Sequence, residues 1–569
     1  MLTEQDDPIE LLTPAEMGQA DRLTIAGGMP GFTLMLNAGA QVAAAAAQMA
    51  RELDRREIVV FCGPGNNGGD GYVAAQILRE QGFEVRVGAL GSPAALKGDA
   101  ALAFAQWSGP TCALAELEPG AGVVIDAMFG AGLSRPLDGE ALAVARKINA
   151  SGAAVVAVDV PSGLDGANGS TGGECVHARL TVTFFRLKPG HVLMPGRLAC
   201  GEVRLVQIGI EPDVLSSIGP KYFLNAPGLW RAHWSQPSIA GHKYGRGHLV
   251  VLSGPMHQTG AARMAARAGL RVGAGLTTLA SPSDALAVNA AHLTAVMLRQ
   301  VDDAGDLAEL LSDSRFNACV LGPGVGVGEA TRAKVQAALG AAKLDAALGA
   351  AKLQAALGAA KVDGALGAAK LDEAPGVAKS GEGRRFGLVL DADALTSFAP
   401  DWEVLAKLIQ SSGADVVLTP HEGEFNRLFN SLGNKVDAKS QVVAGSLGNT
   451  SQAINQLIDF KYRIDSAKTA AVATGAFVVL KGPDTIVAAP DGRLCIARNA
   501  PPYLATAGAG DVLAGLIGGL LAQAMPPFEA CACAVWLHGE AARRFGPGLI
   551  AEDLPESLPQ VLHDLVAQT

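Results

Sequence analysis

The apolar run Ile58-Val59-Val60-Phe61-Cys62 passes directly into Gly63-Pro64-Gly65-Asn66-Asn67-Gly68-Gly69-Asp70-Gly71, and then into a helix-forming stretch from Tyr72 to Gln81. Few folds accommodate that order. A continuously apolar short strand is buried on both faces, as in a parallel sheet, and parallel strands need a crossover, usually a helix, between them. A second strand, Glu84 to Ala89, completes a βαβ unit. Strand, glycine loop and helix together form the usual cradle for phosphate, because glycines let oxygens approach the free N–H groups of a helix start. The spacing here is neither G-x-G-x-x-G nor a P-loop, and no Lys-Ser/Thr follows, so neither standard nucleotide motif applies.

The pattern recurs. Val123-Val124-Ile125-Asp126 leads into Ala127 to Arg135, and Ala154 to Val158 leads into Asp159-Val160-Pro161-Ser162-Gly163-Leu164-Asp165. Ligands of open α/β sheets bind outside the carboxyl ends of strands, so three polar strand ends converge on one expected crevice. Upstream, Thr13-Pro14-Ala15-Glu16 reads as a capped helix start, and Ala38 to Met49 as an alanine-rich helix.

A chain of 569 residues exceeds what one core supports, so two or more domains are expected. Periodicity fades between Gly209 and Trp234, where Pro212, Pro220 and Pro227 fall, and this stretch reads as a linker between domains at 1–225 and 235–569. The second part repeats the alternation of strand and helix. Its strand ends carry Gly322-Pro323-Gly324-Val325-Gly326, Asp391-Ala392-Asp393-Ala394-Leu395, Thr419-Pro420-His421-Glu422-Gly423-Glu424 and Lys481-Gly482-Pro483-Asp484-Thr485. Near the end, Ala505-Thr506-Ala507-Gly508-Ala509-Gly510-Asp511 runs into an apolar helix. There Asp511 would stand beside a bound phosphate, placed to take a proton from an attacking hydroxyl.

Other properties narrow the function. A net charge of -10 and 5% aromatic residues argue against nucleic-acid binding. Eight scattered cysteines suit reduced, buried thiols better than a disulfide framework or a zinc site. The acidic start, Met1 to Pro8, lacks the features of a signal peptide. The longest apolar run, Val512 to Met525, is too short and glycine-rich to span a membrane. A cytoplasmic protein, homo-oligomeric and without membrane or nucleic-acid partners, is expected.

Taken together, the Asn66-to-Gly71 loop, Asp126 to Arg135, Asp159 to Asp165 and Lys188-Pro189-Gly190 resemble the NAD(P)H-hydrate epimerase domain, the YjeF N-terminal family, over about residues 10 to 215. The resemblance implies a Rossmann-like three-layer αβα domain that interconverts the R and S forms of hydrated nicotinamide cofactor. It implies a potassium ion on Asn67, Asp126 and Ser162. It also implies hydrate contacts from Asn66, Asn67, Gly68, Gly69, Asp70, Gly130, Ala131, Gly132, Leu133, Ser134, Arg135, Pro136 and Asp159. A hard monovalent cation suits those amide, carboxylate and hydroxyl oxygens. Epimerisation at a carbon bearing a hydroxyl and a ring nitrogen needs reversible ring opening or proton shuttling, and Asp159 with Lys188 would be the acid/base pair. Lys188 would otherwise be a surface lysine before a turn. Leu36 departs from the family, which commonly has Glu there.

The motifs of the second part, taken as a set, resemble the ADP- or ATP-dependent NAD(P)H-hydrate dehydratase domain, a ribokinase-like αβα fold, over about 235 to 565. That resemblance implies nucleotide binding at Lys481, Gly482, Pro483, Asp484, Thr485 and Gly510, and hydrate binding near Ala262, Gly324, His421 and Asp511, with Mg²⁺ balancing phosphate charge. The two together imply a bifunctional repair enzyme acting on NADHX and NADPHX. A ribokinase-class kinase of a vitamin precursor, fused to a non-catalytic nucleotide-binding module, is the rival reading. ADP against ATP stays open.

One segment stands apart. From Ala337 to Asp372 a nine-residue unit, AALGAAKLD and its variants, occurs four times. Nine residues advance a helix by about two and a half turns, so successive leucines fall on opposite faces and no apolar stripe forms. This insert reads as an expanded helix end without chemistry.

Overall fold

The computed structural model describes residues 8–133, 135–237, 239–342, 385–399, 401–437 and 463–567. Ser134 and most of the nine-residue repeat lie outside the described residues. The chain divides into two compact units that change over between Leu224 and Asn225, inside the stretch read as a linker. That stretch holds more structure than its prolines suggest: a short helix at Val214–Ile218, a strand at Tyr222–Leu224 and a helical turn at Pro227–Trp230, where Trp230 is fully buried.

The first unit opens with β1 (Glu10–Leu11), followed by helices α1 (Pro14–Ala26) and α2 (Gly31–Glu52). Thr13 and Glu16 close a capping box on α1, with the Thr13 amide 2.8 Å from Glu16 Oε2 and the Glu16 amide 3.3 Å from Thr13 Oγ1. Then come β2 (Glu57–Cys62), α3 (Asn66–Glu80), β3 (Glu84–Ala89), β4 (Thr111–Ala113), β5 (Val123–Ala127), β6 (Ala154–Val158), β7 (Leu180–Phe184) and β8 (Glu202–Val206). Their order is β4-β3-β2-β5-β6-β7-β8, all parallel. β9 (Tyr222–Leu224) pairs antiparallel with β1.

Alternate residues of β2 serve opposite faces, as a strand's period of two requires. Ile58, Val60 and Cys62 join Val42, Ala46 and Tyr72 on one side. Val59 and Phe61 join Val144, Ala145 and Ile148 on the other. The result is a three-layer α/β sandwich. Strand order reverses between β2 and β5, which puts the Asn66–Asp70 segment and Asp126 at the switch point where such sheets bind ligands.

The glycine-rich segment after β2 differs from the loop read in the sequence, because α3 begins at Asn66 and includes it. The glycines are there for close packing. A Cβ on Gly68 would sit 2.0 Å from the Gly63 carbonyl oxygen, and one on Gly71 would sit 2.6 Å from Ala127 Cβ. Asn67 and Asp70, three apart in the first turn, therefore face the same way.

The second unit contains β10 (His248–Leu252), β11 (Leu276–Ser281), β12 (Met297–Gln300), β13 (Ala318–Leu321), β14 (Gly387–Leu390), β15 (Asp415–Leu418) and β16 (Phe477–Leu480), parallel in the order β12-β11-β10-β13-β14-β15-β16. β17 (Ile486–Ala488) and β18 (Leu494–Ile496) extend it antiparallel. Two helices, Gly260–Arg271 and Ala509–Ala522, pack on each other through small residues: a Cβ on Gly515 would lie 2.1 Å from the Ala265 carbonyl oxygen. That contact delivers the start of the second helix to the strand ends.

Candidate functional sites

In the first unit the strand ends enclose a cavity of about 570 Å³. Asp21, Asn66, Asn67, Asp70, Gly130, Ala131, Gly132, Leu133, Asp159 and Lys188 all line it. The chain leaves β6 through Asp159 at φ 66°, a left-handed conformation unusual for a residue with a Cβ. Every polar atom of that residue is held. Lys188 Nζ lies 2.6 Å from Asp159 Oδ1, Thr183 Oγ1 donates to the same oxygen at 3.0 Å, and the Ala131 amide donates to Oδ2 at 3.2 Å. His191 Nδ1 accepts a hydrogen bond from the Lys188 amide at 2.9 Å, so the ring's own proton is on Nε2, which donates to the Asp159 carbonyl oxygen at 2.8 Å.

Burial alone would raise the pKa of Asp159. The charge and hydrogen bond of Lys188 outweigh it and hold the carboxyl below its ordinary value. Burial also depresses His191, to about 4, with the Lys188 charge acting the same way, so the ring is neutral. Lys188 is no surface lysine: its side chain is 1% exposed.

Beneath the cavity, Asp126 is fully buried at the end of β5 and accepts from Ser162 Oγ (2.6 Å), the Ser162 amide (2.7 Å) and the Met128 amide (3.3 Å). Burial pushes its pKa up to about 6, against those hydrogen bonds. All three donors are neutral. Nearby, Asn67 Nδ2 is buried without a partner, and Asn67 Oδ1 approaches Gly130 closely enough that a Cβ there would be 2.9 Å away. The Asp126 carboxylate, solvated only by neutral donors, the Ser162 hydroxyl and an Asn67 Oδ1 that accepts no hydrogen bond among the described residues are oxygens that suit a hard monovalent cation.

The remaining first-unit candidates are distributed differently. Gly68 and Gly69 are buried in the helix packing and do not line the cavity. Arg135 is exposed and pairs with Asp138 at 2.8 Å, while Pro136 is exposed beside it. Thr183, His191 and Asp21 escaped the sequence reading. The first two sit in ordinary strand and turn positions, and Asp21 lies mid-helix, where an acid usually just faces water.

In the second unit, strand ends after β14, β15 and β16 bring Asp391, His421, Glu424 and Lys481 together, and an isolated parallel bridge ties His421 to Lys481. Lys481 Nζ lies 2.8 Å from Asp391 Oδ1 and 3.9 Å from Glu424 Oε2. Glu424 Oε2 accepts the His421 amide at 2.9 Å, and His421 Nδ1 accepts the Gly423 amide at 2.9 Å. Asp393 Oδ2 accepts the Gly326 amide at 2.9 Å, fastening the glycine turn after β13. Gly324 adopts φ 69° in that turn, and a Cβ on Gly254 would lie 1.8 Å from its carbonyl oxygen.

The segment Gly508-Ala509-Gly510-Asp511 starts the Ala509–Ala522 helix, with Gly508 at φ 88°. A Cβ on Gly510 would be 3.3 Å from Lys481 Nζ, so the helix start faces the lysine. Burial first, then the charge of Asp391, raises Asp511 to about 6; Lys481 opposes the shift, and Glu424 and Asp393 add to it. His538 lies buried under this turn, its pKa lowered to about 4 by burial, and the sequence offered no sign of it. Thr485 Oγ1 bonds within its own turn to Gly482 N and O, and Asp484 is fully buried, so both shape the Lys481–Thr485 turn. Ala262 is likewise fully buried in its helix.

Residues 31–190 match the YjeF-related protein N-terminus family, and residues 249–347 and 371–562 match the NAD(P)H-hydrate dehydratase family. The bifunctional NAD(P)H-hydrate repair enzyme Nnr of Moorella thermoacetica is 32% identical over 98% of this chain and 97% of its own length. The enzyme of that name from Gloeobacter violaceus is 33% identical over 96% of each. A crystal structure of the ADP/ATP-dependent NAD(P)H-hydrate dehydratase from Bacillus subtilis, co-crystallised with ATP/Mg²⁺, covers 60% of this chain and 98% of its own at 22% identity, with a TM-score of 0.43. No described helix is long and apolar enough to cross a membrane.

Proposed function

The chain belongs to the bifunctional NAD(P)H-hydrate repair enzymes, and from that membership we propose how its two sites divide the work. The first unit interconverts the R and S forms of hydrated NADH and NADPH. The second removes water from the S form at the expense of ADP or ATP, leaving the nucleotide one phosphoryl group shorter and releasing phosphate.

The observation that carries the reading is Asp511 beside Lys481 at a helix N-terminus. Hydroxide leaves a saturated ring poorly, whereas phosphate leaves readily. Asp511 accepts the proton of the hydrate hydroxyl as its oxygen attacks the terminal phosphorus. Lys481 and the amides at Gly508 to Gly510 stabilise the charge that builds on the transferred group. Phosphate then leaves with the C–O bonding pair, pushed out by the ring nitrogen, and loss of a proton from the neighbouring ring carbon restores the dihydronicotinamide ring. Mg²⁺ on the nucleotide would neutralise phosphate charge. Gly324 and His421 flank the hydrate, and Gly482 to Thr485 form the turn that carries Lys481 to the nucleotide.

In the first unit Asp159 and Lys188 move protons at the hydrated carbon, with the hydrate lying along Asn66, Asn67, Asp70 and Gly130 to Leu133. Potassium held by Asn67, Asp126 and Ser162 would supply positive charge under the cavity floor. A cytoplasmic homo-oligomer remains our expectation for the intact protein.

The test is direct. Purified protein is given separated R and S hydrates of NADH, with ADP, ATP or no nucleotide, and absorbance at the NADH maximum is followed. Recovery from S that needs a nucleotide, and from R through S, is expected. No recovery from S with either nucleotide would return the second unit to the small-molecule kinases. Exchanging K⁺ for choline should slow only the R-to-S step.

A further inference from the structure

Epimerisation by ring opening needs two proton movements at two different atoms. The hydroxyl on the hydrated carbon must lose its proton as C=O forms. The C–N bond breaks, its electron pair passes to the ring nitrogen, and that nitrogen must gain a proton. Rotation about the adjacent carbon–carbon bond and closure from the other face reverse both transfers, so nothing is consumed. Asp159, ionised and clamped by Lys188, Thr183 and the Ala131 amide, supplies a base. Lys188 is committed to Asp159 and Thr183, at 2.6 and 2.9 Å. Neither provides an acid at a second position.

Asp21 stands on a separate element, α1, and its carboxyl faces the same 570 Å³ cavity. It is half-buried, and among the described residues no hydrogen bond or ion pair engages its side chain, in contrast to Asp126 and Asp159. Asp70 and Asp99 line the same cavity and likewise carry no hydrogen bond or ion pair among the described residues, so Asp21 is one of three carboxyls free to serve a ligand, and the one that α1 brings to the wall. We propose that Asp21 is the general acid of the epimerase cavity, giving its proton to the ring nitrogen as the carbon–nitrogen bond opens and taking it back on closure. This rests on the epimerase reading of the first unit.

The electrostatics agree. Burial raises Asp21 to about 6; the Lys188 charge opposes the shift, Asp159 adds to it, and Arg22 opposes it. Asp70, which also lines the cavity with Asp99, is raised too, by burial first and then by the charges of Asp159 and Asp21. Asp21 thus holds a proton to higher pH than an ordinary carboxyl, while Asp159 gives its proton up lower. Such a split separates acid from base.

The experiment measures R-to-S exchange by chromatography of the two hydrates, from pH 5 to 9, for wild type, Asp21→Asn and Asp21→Glu. Dehydration of pure S hydrate by each variant reports that the second unit is intact, and an unchanged thermal midpoint of the first unit reports that the first is folded. Asp21→Asn should lower exchange on the order of 100-fold at neutral pH and abolish the decline of the wild-type rate above about pH 6. Asp21→Glu should recover part of the rate together with that decline. A wild-type rate in Asp21→Asn would overturn the proposal, as would a lowered rate with the alkaline decline intact. A wild-type chain that dehydrates S but never exchanges R would overturn the epimerase reading and the proposal with it.

Discussion

Lys481 Nζ rests 2.8 Å from Asp391 Oδ1 although 90 residues separate them. The lysine feels the charges of Asp391, Glu424 and Asp511, and it stays protonated: burial disfavours its charge, but those three carboxylates outweigh burial. Lys481→Met would leave the carboxylates crowded and the transferred phosphoryl group uncompensated. Dehydration of S hydrate should fall at least about 100-fold, on the scale of losing one oriented charge donor. Steady-state assays over nucleotide concentration should place the loss in both kcat and KM.

The pH profile of dehydration tests Asp511. Its pKa is raised to about 6, and a base works only when unprotonated. The rate constant kcat/KM for the hydrate should therefore climb with pH up to about 6 and level above it. Asp511→Asn should erase the climb along with nearly all activity, while nucleotide binding measured by calorimetry persists. A flat profile in the wild type would remove Asp511 from the role of base.

Lys188 and Asp159 form the corresponding pair in the first unit, both withdrawn from water. Removing one member of a buried pair strands the other, at about 3–5 kcal/mol. Lys188→Met should lower the thermal midpoint of the first unit and reduce R-to-S exchange by two orders of magnitude or more, on the scale of lost acid–base catalysis. Lys188→Arg keeps the charge but carries a planar fork in a slot built for a single ammonium. It should recover stability better than activity.

Small residues carry the helix contact that presents Asp511. At Gly515 a Cβ would fall 2.1 Å from the Ala265 carbonyl oxygen, a distance no backbone atom tolerates. Gly515→Ala should cost roughly 1–3 kcal/mol, as overpacking does, and should raise the nucleotide KM because the helix start moves. Gly510→Ala, 3.3 Å from the flexible end of Lys481, should spare stability and affect only the chemistry.

The alternation of apolar runs with glycine- and acid-bearing strand ends was enough to read two doubly wound α/β units, and the strand ends themselves marked the sites. That information is local, because a buried parallel strand must be apolar and a phosphate-facing turn must be small. Asp126, Asp159, Lys481 and Asp511 were legible for this reason. Asp21, Thr183, His191 and His538 were not, since an acid within a helix or a threonine within a strand looks like any other until a neighbour from elsewhere in the chain meets it.

The tertiary structure decided three further things. It turned the glycines of Asn66 to Gly71 from a loop into the first turn of a helix, because their missing side chains admit the Gly63 carbonyl and Ala127. It made Lys188 a buried partner of Asp159, and left the Asp21 carboxyl facing the cavity without a hydrogen-bond partner. Residue type and spacing along the chain determine which strands and turns form. Which carboxyl keeps a proton and which gives it up depends on burial and on charges brought from distant segments, and these exist only once the chain has folded.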